Sequence, residues 1–224
     1  MAEATDDPGW SARWLPDTEP PTGVRAARRR WADALRDAIT LLMEMDAPEA
    51  ELVSAAASLE AFNQRLAQVP HRHRLIGYAE TATAGRSDAL FDSSPVSGAA
   101  NPLAPPLRLR REGAVIRGTA TFGSAYEGPP GHVHGGFVAA ALDELLGMAQ
   151  TLSGQRGMTG TLTVRYRRPT PLARPLELTA ELDRVEGRKT YVVGTLHAGD
   201  VVYAEAEAVF ISVDFTRLAQ LAAE

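Results

Sequence analysis

The residues best suited to chemistry lie in one short run, "HVHGGFVAAALDE", from His132 to Glu144. Gly135 and Gly136 stand where a helix is expected to begin. Backbone amides there have no acceptor within the helix, and the dipole presents its positive end. With no side chain in the way, such amides can polarise a carbonyl and hold the oxyanion that develops on it. Asp143 follows seven residues after Gly136, about 10 Å along the axis at 1.5 Å per residue, too far to serve as a cap. Three readings are open to it: a side chain facing water, a buried acid with satisfied hydrogen bonds, or a functional acid working with the helix start. Glu144 beside it points roughly 100° away around the helix, so the two acids cannot share one environment.

Two histidine pairs raise metal binding as a rival: "HRH" (His71, His73) and "HVH" (His132, His134). A cupin-type site wants a glutamate three or four residues after the pair, where Phe137 and Val138 stand, and histidine is favoured at a helix end in any case. No metal is expected. The chain has no GxSxG elbow, no GxxxxGK[ST] phosphate loop and no GxGxxG fingerprint, which removes the usual grounds for a serine hydrolase, a nucleotidase or a dinucleotide enzyme.

The elements that must position these residues follow from periodicity. Val138, Leu142, Leu145 and Met148 form one face of a helix expected from about Gly136 to Ala149, while Ala139, Ala140, Ala141 and Gly147 leave little bulk elsewhere. A helix apolar nearly all round is a buried one. Alternation predicts a strand over Glu112–Gly123, and four more over Met158–Arg168, Pro175–Val185, Lys189–Ala198 and Val201–Ser212. Their short, turn-rich connections suit antiparallel neighbours. The order strand, helix, four strands predicts an α+β fold, with the helix packed on the concave face of an antiparallel sheet. Earlier in the chain, Trp31, Leu35, Ile39 and Leu42, then Leu52, Ala56, Leu59, Phe62, Leu66 and Val69, recur at helical spacing, predicting a helical hairpin with Asp46 or a neighbour capping its second helix and Pro48 in that helix's first turn. The cluster Arg25, Arg28, Arg29, Arg30 reads as the solvated face of its first helix. The expected organisation is a flexible N-terminal segment (1–23), the hairpin (24–70), a connecting segment rich in serine, proline and glycine (71–106), the α+β domain (107–215) and a C-terminal tail (216–224).

At 224 residues and 45% hydrophobic content the chain can bury a proper core, and its net charge of -5 supplies no overall basic field toward nucleic acid or anionic lipid. The absence of cysteine excludes disulfides and thiolate zinc sites and suits the cytoplasm. No run reaches the roughly 18 apolar residues of a membrane span, and the first residues lack the basic and apolar regions of a secretory signal.

Three pieces in this order, "HGGFVAAALDE", "MTGTLTVRYRRPTPL" and "DRVEGRKTYVV", resemble the hotdog-fold acyl-CoA thioesterases, in particular the PaaI-like branch and the animal THEM4-type enzymes. The likeness spans roughly Gly128 to Val193 and leaves the N-terminal hairpin uncovered. It implies a curved antiparallel sheet wrapped around a central helix, and hydrolysis of an acyl-CoA, as in fatty acid metabolism, to free acid and CoA. No cofactor is implied beyond the coenzyme A of the substrate. It also implies a homodimer or homotetramer with active sites shared between subunits. In that likeness Asp143 is general base or nucleophile, the Gly135 and Gly136 amides bind the carbonyl oxygen, His134 shapes the turn and Thr159 helps hold the attacking water. The GPPG before "HVHGG" departs from simpler versions of the motif. Arg165, Arg167, Arg168, Arg188 and Lys189 are candidates for the phosphates of coenzyme A, with a solvated strand edge and a charged turn as the competing reading. Two rival functions on the same scaffold are an enoyl-thioester hydratase or dehydratase and a non-catalytic acyl-thioester sensor.

Overall fold

The structure, a computed structural model, describes residues 20–70, 92–105 and 107–213. The remaining residues, His71 and His73 among them, lie outside that description. Two helices open the described chain: α1 (Gly23–Glu44) and α2 (Glu49–Ala67). Trp31 and Phe62 meet edge to face between them, with ring centroids 6.1 Å apart. Pro48 sits one position earlier than expected, just before the first turn of α2, where its carbonyl accepts from the Glu51 and Leu52 amides; no side chain caps this end, so Asp46 does not play that part.

Six strands follow: β1 (Arg108–Glu112), β2 (Val115–Ala120), β3 (Gly157–Tyr166), β4 (Leu176–Glu186), β5 (Lys189–Ala198) and β6 (Val201–Ser212). They form one antiparallel sheet in the order β1-β2-β4-β5-β6-β3. The central helix α3 (Gly135–Gln150) touches every strand from β2 to β6, so the expected helix wrapped by a sheet is the fold observed. The single strand expected over Glu112–Gly123 is instead the second arm of a hairpin: Gly113 turns the chain at φ 64°, and Glu112 pairs with Val115. "RLRRE" escaped the alternation because it is an edge strand in which only Leu109 is buried.

The core lies between the concave face and α3. Ile116, Leu178, Ala180, Val192, Leu196, Ala206 and Ala208 from the sheet share one buried cluster with Val138, Leu142, Leu145 and Leu146 from the helix. Each fully buried large aliphatic side chain contributes about 1.5–3 kcal/mol. Small residues on the strands bring the helix close: a Cβ at Gly194 would stand 3.0 Å from Leu146 Cδ2 and 3.0 Å from the Thr179 carbonyl oxygen.

Segment 92–105 packs between α1 and the domain. Arg25 and Arg29 donate to the two carboxylate oxygens of Asp92 at 2.6 and 2.7 Å, and Arg36 donates to the carbonyls of Asn101 and Ala99. Two members of the arginine cluster expected to face solvent therefore hold this segment in place.

Strand β3 has an irregularity in its pairing with β6. Leu162 and Val164 pack toward the core, so strict alternation would send Thr159 to the opposite face. The register with β6 slips between Thr159 and Thr161, leaving Gly160 as an extra residue. That bulge reverses the phase and turns Thr159 to the same side as Leu162. A Cβ at Gly160 would lie 2.8 Å from Ile211 Cγ1, so the bulge is built for glycine.

Candidate functional site

The start of α3 is fixed by the loop before it. Gly128 and His132 bond across the turn, and the His134 amide donates to the Tyr126 carbonyl at 2.9 Å. Val133 donates to the Thr170 carbonyl at 2.8 Å, so the loop after β3 braces this turn. Here the "GPPG" stretch finds its use. A Cβ at Gly128 would come 2.7 Å from His134 Cα, so only glycine lets the turn close on the residue that caps the helix.

His134 is that cap. Its Nδ1 accepts from the Gly136 amide at 3.0 Å, and its carbonyl accepts from Phe137 and Val138. The Gly135 carbonyl accepts from the Tyr166 hydroxyl at 2.9 Å. Gly135 C=O and Gly136 N–H belong to one peptide unit, so that unit is held at both ends. Of the two amides expected to face a substrate, the Gly136 N–H is already engaged by His134. The Gly135 N–H has no acceptor among the described residues.

Further along, Asp143 Oδ1 accepts from Thr159 Oγ1 at 3.1 Å. The helix and the bulged strand thus bring together the two residues that the sequence separates by sixteen positions. Asp143 is half-buried, and the half-open or open residues Gly136, Ala140, Asp143 and Gly147 form one line down α3, within an arc of about 60° at 100° per residue. Apart from the carboxylate, this line has almost no side-chain bulk.

Glu144 takes the opposite course. It reaches back into segment 92–105, where its Oε1 accepts from Ser94 Oγ at 2.9 Å and from Ser97 Oγ. Burial pushes its carboxyl above the usual glutamate range, the two serine hydrogen bonds pull it down, and the neighbouring Asp143 charge raises it.

The five cations separate. Arg165 on the outer face of β3 and Arg167 just past its end pair with Glu207 and Glu205 on β6. Arg168 lies near the start of α3, between Tyr166 and the Thr170 brace. Arg188 and Lys189 sit at the other end of the sheet, where Arg188 donates to the Ser212 carbonyl at 3.0 Å. Among the described residues Arg168, Arg188 and Lys189 have no carboxylate within ion-pair distance. His132 Nδ1 lies 2.8 Å from the Pro130 carbonyl, and no group of three or more His, Cys, Asp or Glu side chains among the described residues could hold a metal.

Sequence reasoning missed Tyr166, Gly128, Gly160 and the serine pair. Tyr166 carried a usable signal: it has the same strand parity as Leu162 and Val164 and so shares their face. The serines carried none, since their role depends on where a segment folds back.

Comparison with known proteins agrees with this architecture. The thioesterase superfamily model matches residues 130–205. A solved crystal structure described as a thioesterase superfamily protein is 36% identical, covers 86% of this chain and 97% of its own, and superposes with a TM-score of 0.74. Acyl-coenzyme A thioesterase THEM5 of Homo sapiens is 36% identical over 93 residues, and THEM4 of Mus musculus 37% over 90 residues. These matches span 41% and 39% of this chain, and 38% and 39% of the respective relatives. The chain thus covers about two fifths of the length of those curated relatives. It has the hotdog thioesterase fold. It belongs to the thioesterase superfamily. Among the described residues no helix is long and apolar enough to cross a membrane.

Proposed function

We propose that this protein hydrolyses an acyl-CoA thioester to the free acid and coenzyme A, with Asp143 as the base. The observation that carries this reading is the Thr159–Asp143 hydrogen bond, set on the bare line of a helix that opens with the uncommitted Gly135 amide. Thr159 and Asp143 hold a water between them. Asp143 takes its proton as the oxygen attacks the thioester carbon, and the carbonyl oxygen becomes an oxyanion held by the Gly135 amide, joined by that of Gly136 when His134 releases it. The oxyanion collapses, the C–S bond breaks, and coenzyme A leaves as a thiolate that takes up a proton. A thioester is activated enough for a carboxylate to suffice. Direct attack by Asp143 would instead form an acyl anhydride, and single-turnover hydrolysis in ¹⁸O water identifies that route when water opens the anhydride at the Asp143 carboxyl carbon and leaves the label on Asp143.

A second copy completes the site in this proposal. Asp143 lies about 12 Å along the helix from its own Gly135 at 1.5 Å per residue. Thr159, beside Asp143, and Tyr166, beside Gly135, stand near opposite ends of β3, whose outer edge has no strand partner among the described residues. Antiparallel pairing of β3 with the same strand of a second copy, centred on Thr163 with Gly160 left out of each ladder, sets Thr159 of one opposite Tyr166 of the other. It thereby brings the amides of one copy to the carboxylate of the other. The two sheet edges support this choice: β1 carries Arg108, Arg110, Arg111 and Glu112, charges that discourage pairing, whereas β3 is uncharged from Met158 to Val164. Sedimentation should show a dimer or a pair of dimers, and a fully active monomer would overturn the shared site.

Arg168, Arg188 and Lys189 are the cations left for the phosphates of coenzyme A, since Arg165 and Arg167 already have carboxylate partners. A cytoplasmic location belongs to the same proposal and is tested by cell fractionation. The deciding experiment is thiol release from hexanoyl-, phenylacetyl- and palmitoyl-CoA by the native protein and by Asp143→Asn. General base catalysis is worth about 10²–10⁴-fold, so the variant should lose at least two orders of magnitude in kcat while staying folded. An active Asp143→Asn would end the reading.

A further inference from the structure

Glu144 is a half-buried acid that the mechanism above does not use. Its two partners are built for it: Ser94 and Ser97 are 1% and 8% exposed, and both point their hydroxyls at one carboxylate oxygen. Their turn is rigid. The Val96 and Ser97 amides donate back to Ser94 Oγ at 3.1 and 3.2 Å, and the Gly98 amide donates to the Ser94 carbonyl at 3.0 Å. A Cβ at Gly98 would stand 2.3 Å from that carbonyl oxygen, so the turn admits only glycine there.

The contacts of α3 explain why such a tie matters. Its broad face meets the sheet through Leu142, Leu145, Leu146 and small side chains, which pack closely but without direction. Between the cap at His134 and the Gln150 bond at the far end, the side chains of α3 that hydrogen-bond other elements, among the described residues, are Asp143 and Glu144. A side-chain tip lies about 5 Å from a helix axis, so a rotation of about 10° displaces it by about 1 Å. Misplacement on that scale can cost about 10²-fold in rate. The tie also extends outward, because Asp92, two residues before Ser94, is held by Arg25 and Arg29 of α1.

We propose that Glu144 is a positioning residue: by accepting hydrogen bonds from Ser94 and Ser97 it fixes the rotation of α3, and hence the aim of Asp143 at Thr159, and it makes that aim depend on the docking of the N-terminal helices. This rests on the hydrolase reading given above and adds to it a role for a region that lies outside the matched family segment.

The test measures kcat, KM and melting temperature of the full chain with the same three acyl-CoA substrates. Glu144→Ala, and separately Ser94→Ala with Ser97→Ala, should lower kcat about tenfold or more with KM within about threefold, as expected when an interaction made in the transition state is weakened. Glu144→Gln, whose amide oxygen still accepts from both serines, should restore kcat. A folded Glu144→Ala with native kcat overturns the proposal, as does a Gln variant no better than Ala. If Glu144→Ala fails to fold, the serine pair decides by the same criterion. Asp143→Asn separates the two levels: if it is inactive while the Glu144 and serine variants are fully active, only this inference fails, and if it is active the hydrolase reading itself fails.

Discussion

Replacing Gly128 by alanine tests how far the site depends on the loop in front of α3. The added Cβ would lie 2.7 Å from His134 Cα and 3.0 Å from its Cβ, against an ordinary contact that begins at 3.4 Å. The atom facing it most closely is backbone, which cannot swing aside as the end of a long side chain can. His134 or the turn must therefore give way by about 0.7 Å, and overpacking of this kind typically costs about 1–3 kcal/mol. The displaced residue also supplies the acceptor for the Gly136 amide and the carbonyl that receives Phe137 and Val138. Motion there tilts the amides meant for the substrate oxygen, and at roughly 10²-fold per 1 Å of misplacement kcat should fall by one to two orders of magnitude. Gly123→Ala is the matched control: nothing lies within 4 Å of its added Cβ, and its φ of -88° suits alanine. That control should be neutral or stabilising by up to about 1 kcal/mol through the unfolded chain. Calorimetric unfolding and thiol-release kinetics of both variants give the answer. Native kcat and native melting for Gly128→Ala would refute the claim that this approach fixes the helix start.

Two further outcomes follow from the helix acids. Thr159→Val keeps the side chain's shape and removes its hydroxyl from Asp143; loss of a hydrogen bond to a charged group is worth about 1.5–3 kcal/mol, so kcat should fall roughly 10- to 100-fold with melting little changed, and an unchanged kcat would remove Thr159 from the site. For Glu144 the carboxyl is held above its unfolded value by burial, with Asp143 adding to the rise and Ser97 and Ser94 opposing it. The folded state then binds the proton more tightly than the unfolded chain, so this group's stabilising contribution is fully present below the unfolded value and is lost as pH rises through the folded one. Glu144→Gln should therefore gain stability relative to the native chain as pH is raised from about 4 toward neutrality, and a pH-independent difference in melting temperature would contradict the assignment.

The fold was legible wherever pattern and packing agree. The five strands that alternate and the helix that is apolar nearly all round were readable because burial on the concave face selects just those spacings. β1 was hidden because an edge strand with one inward leucine and three arginines has no period to read. That Asp143 lies on the same helix as the Gly135 and Gly136 amides, about two turns further along, could be read from helix geometry alone. Its hydrogen bond to Thr159 could not, because a strict period of two places Thr159 on the wrong face. The clamp on Glu144 was invisible for another reason: two serines in a proline- and glycine-rich stretch acquire meaning only when the stretch folds back fifty residues later in the chain. The arginines misled in part, since an excess of one cation type says nothing about which of them already has a partner.

The supernumerary glycine in β3 has a consequence for how this strand can change. Its two halves obey opposite rules of inside and outside, one timed to fill the core and the other to bring a hydroxyl to an acid. Taking that glycine into the ladder instead of leaving it out would slide Gly157–Thr159 one place along β6 with every letter intact, sending Met158 inward and Thr159 out to solvent. A strand regularised in that way would keep its whole sequence and its partner, and the hydroxyl would miss the acid by half a step.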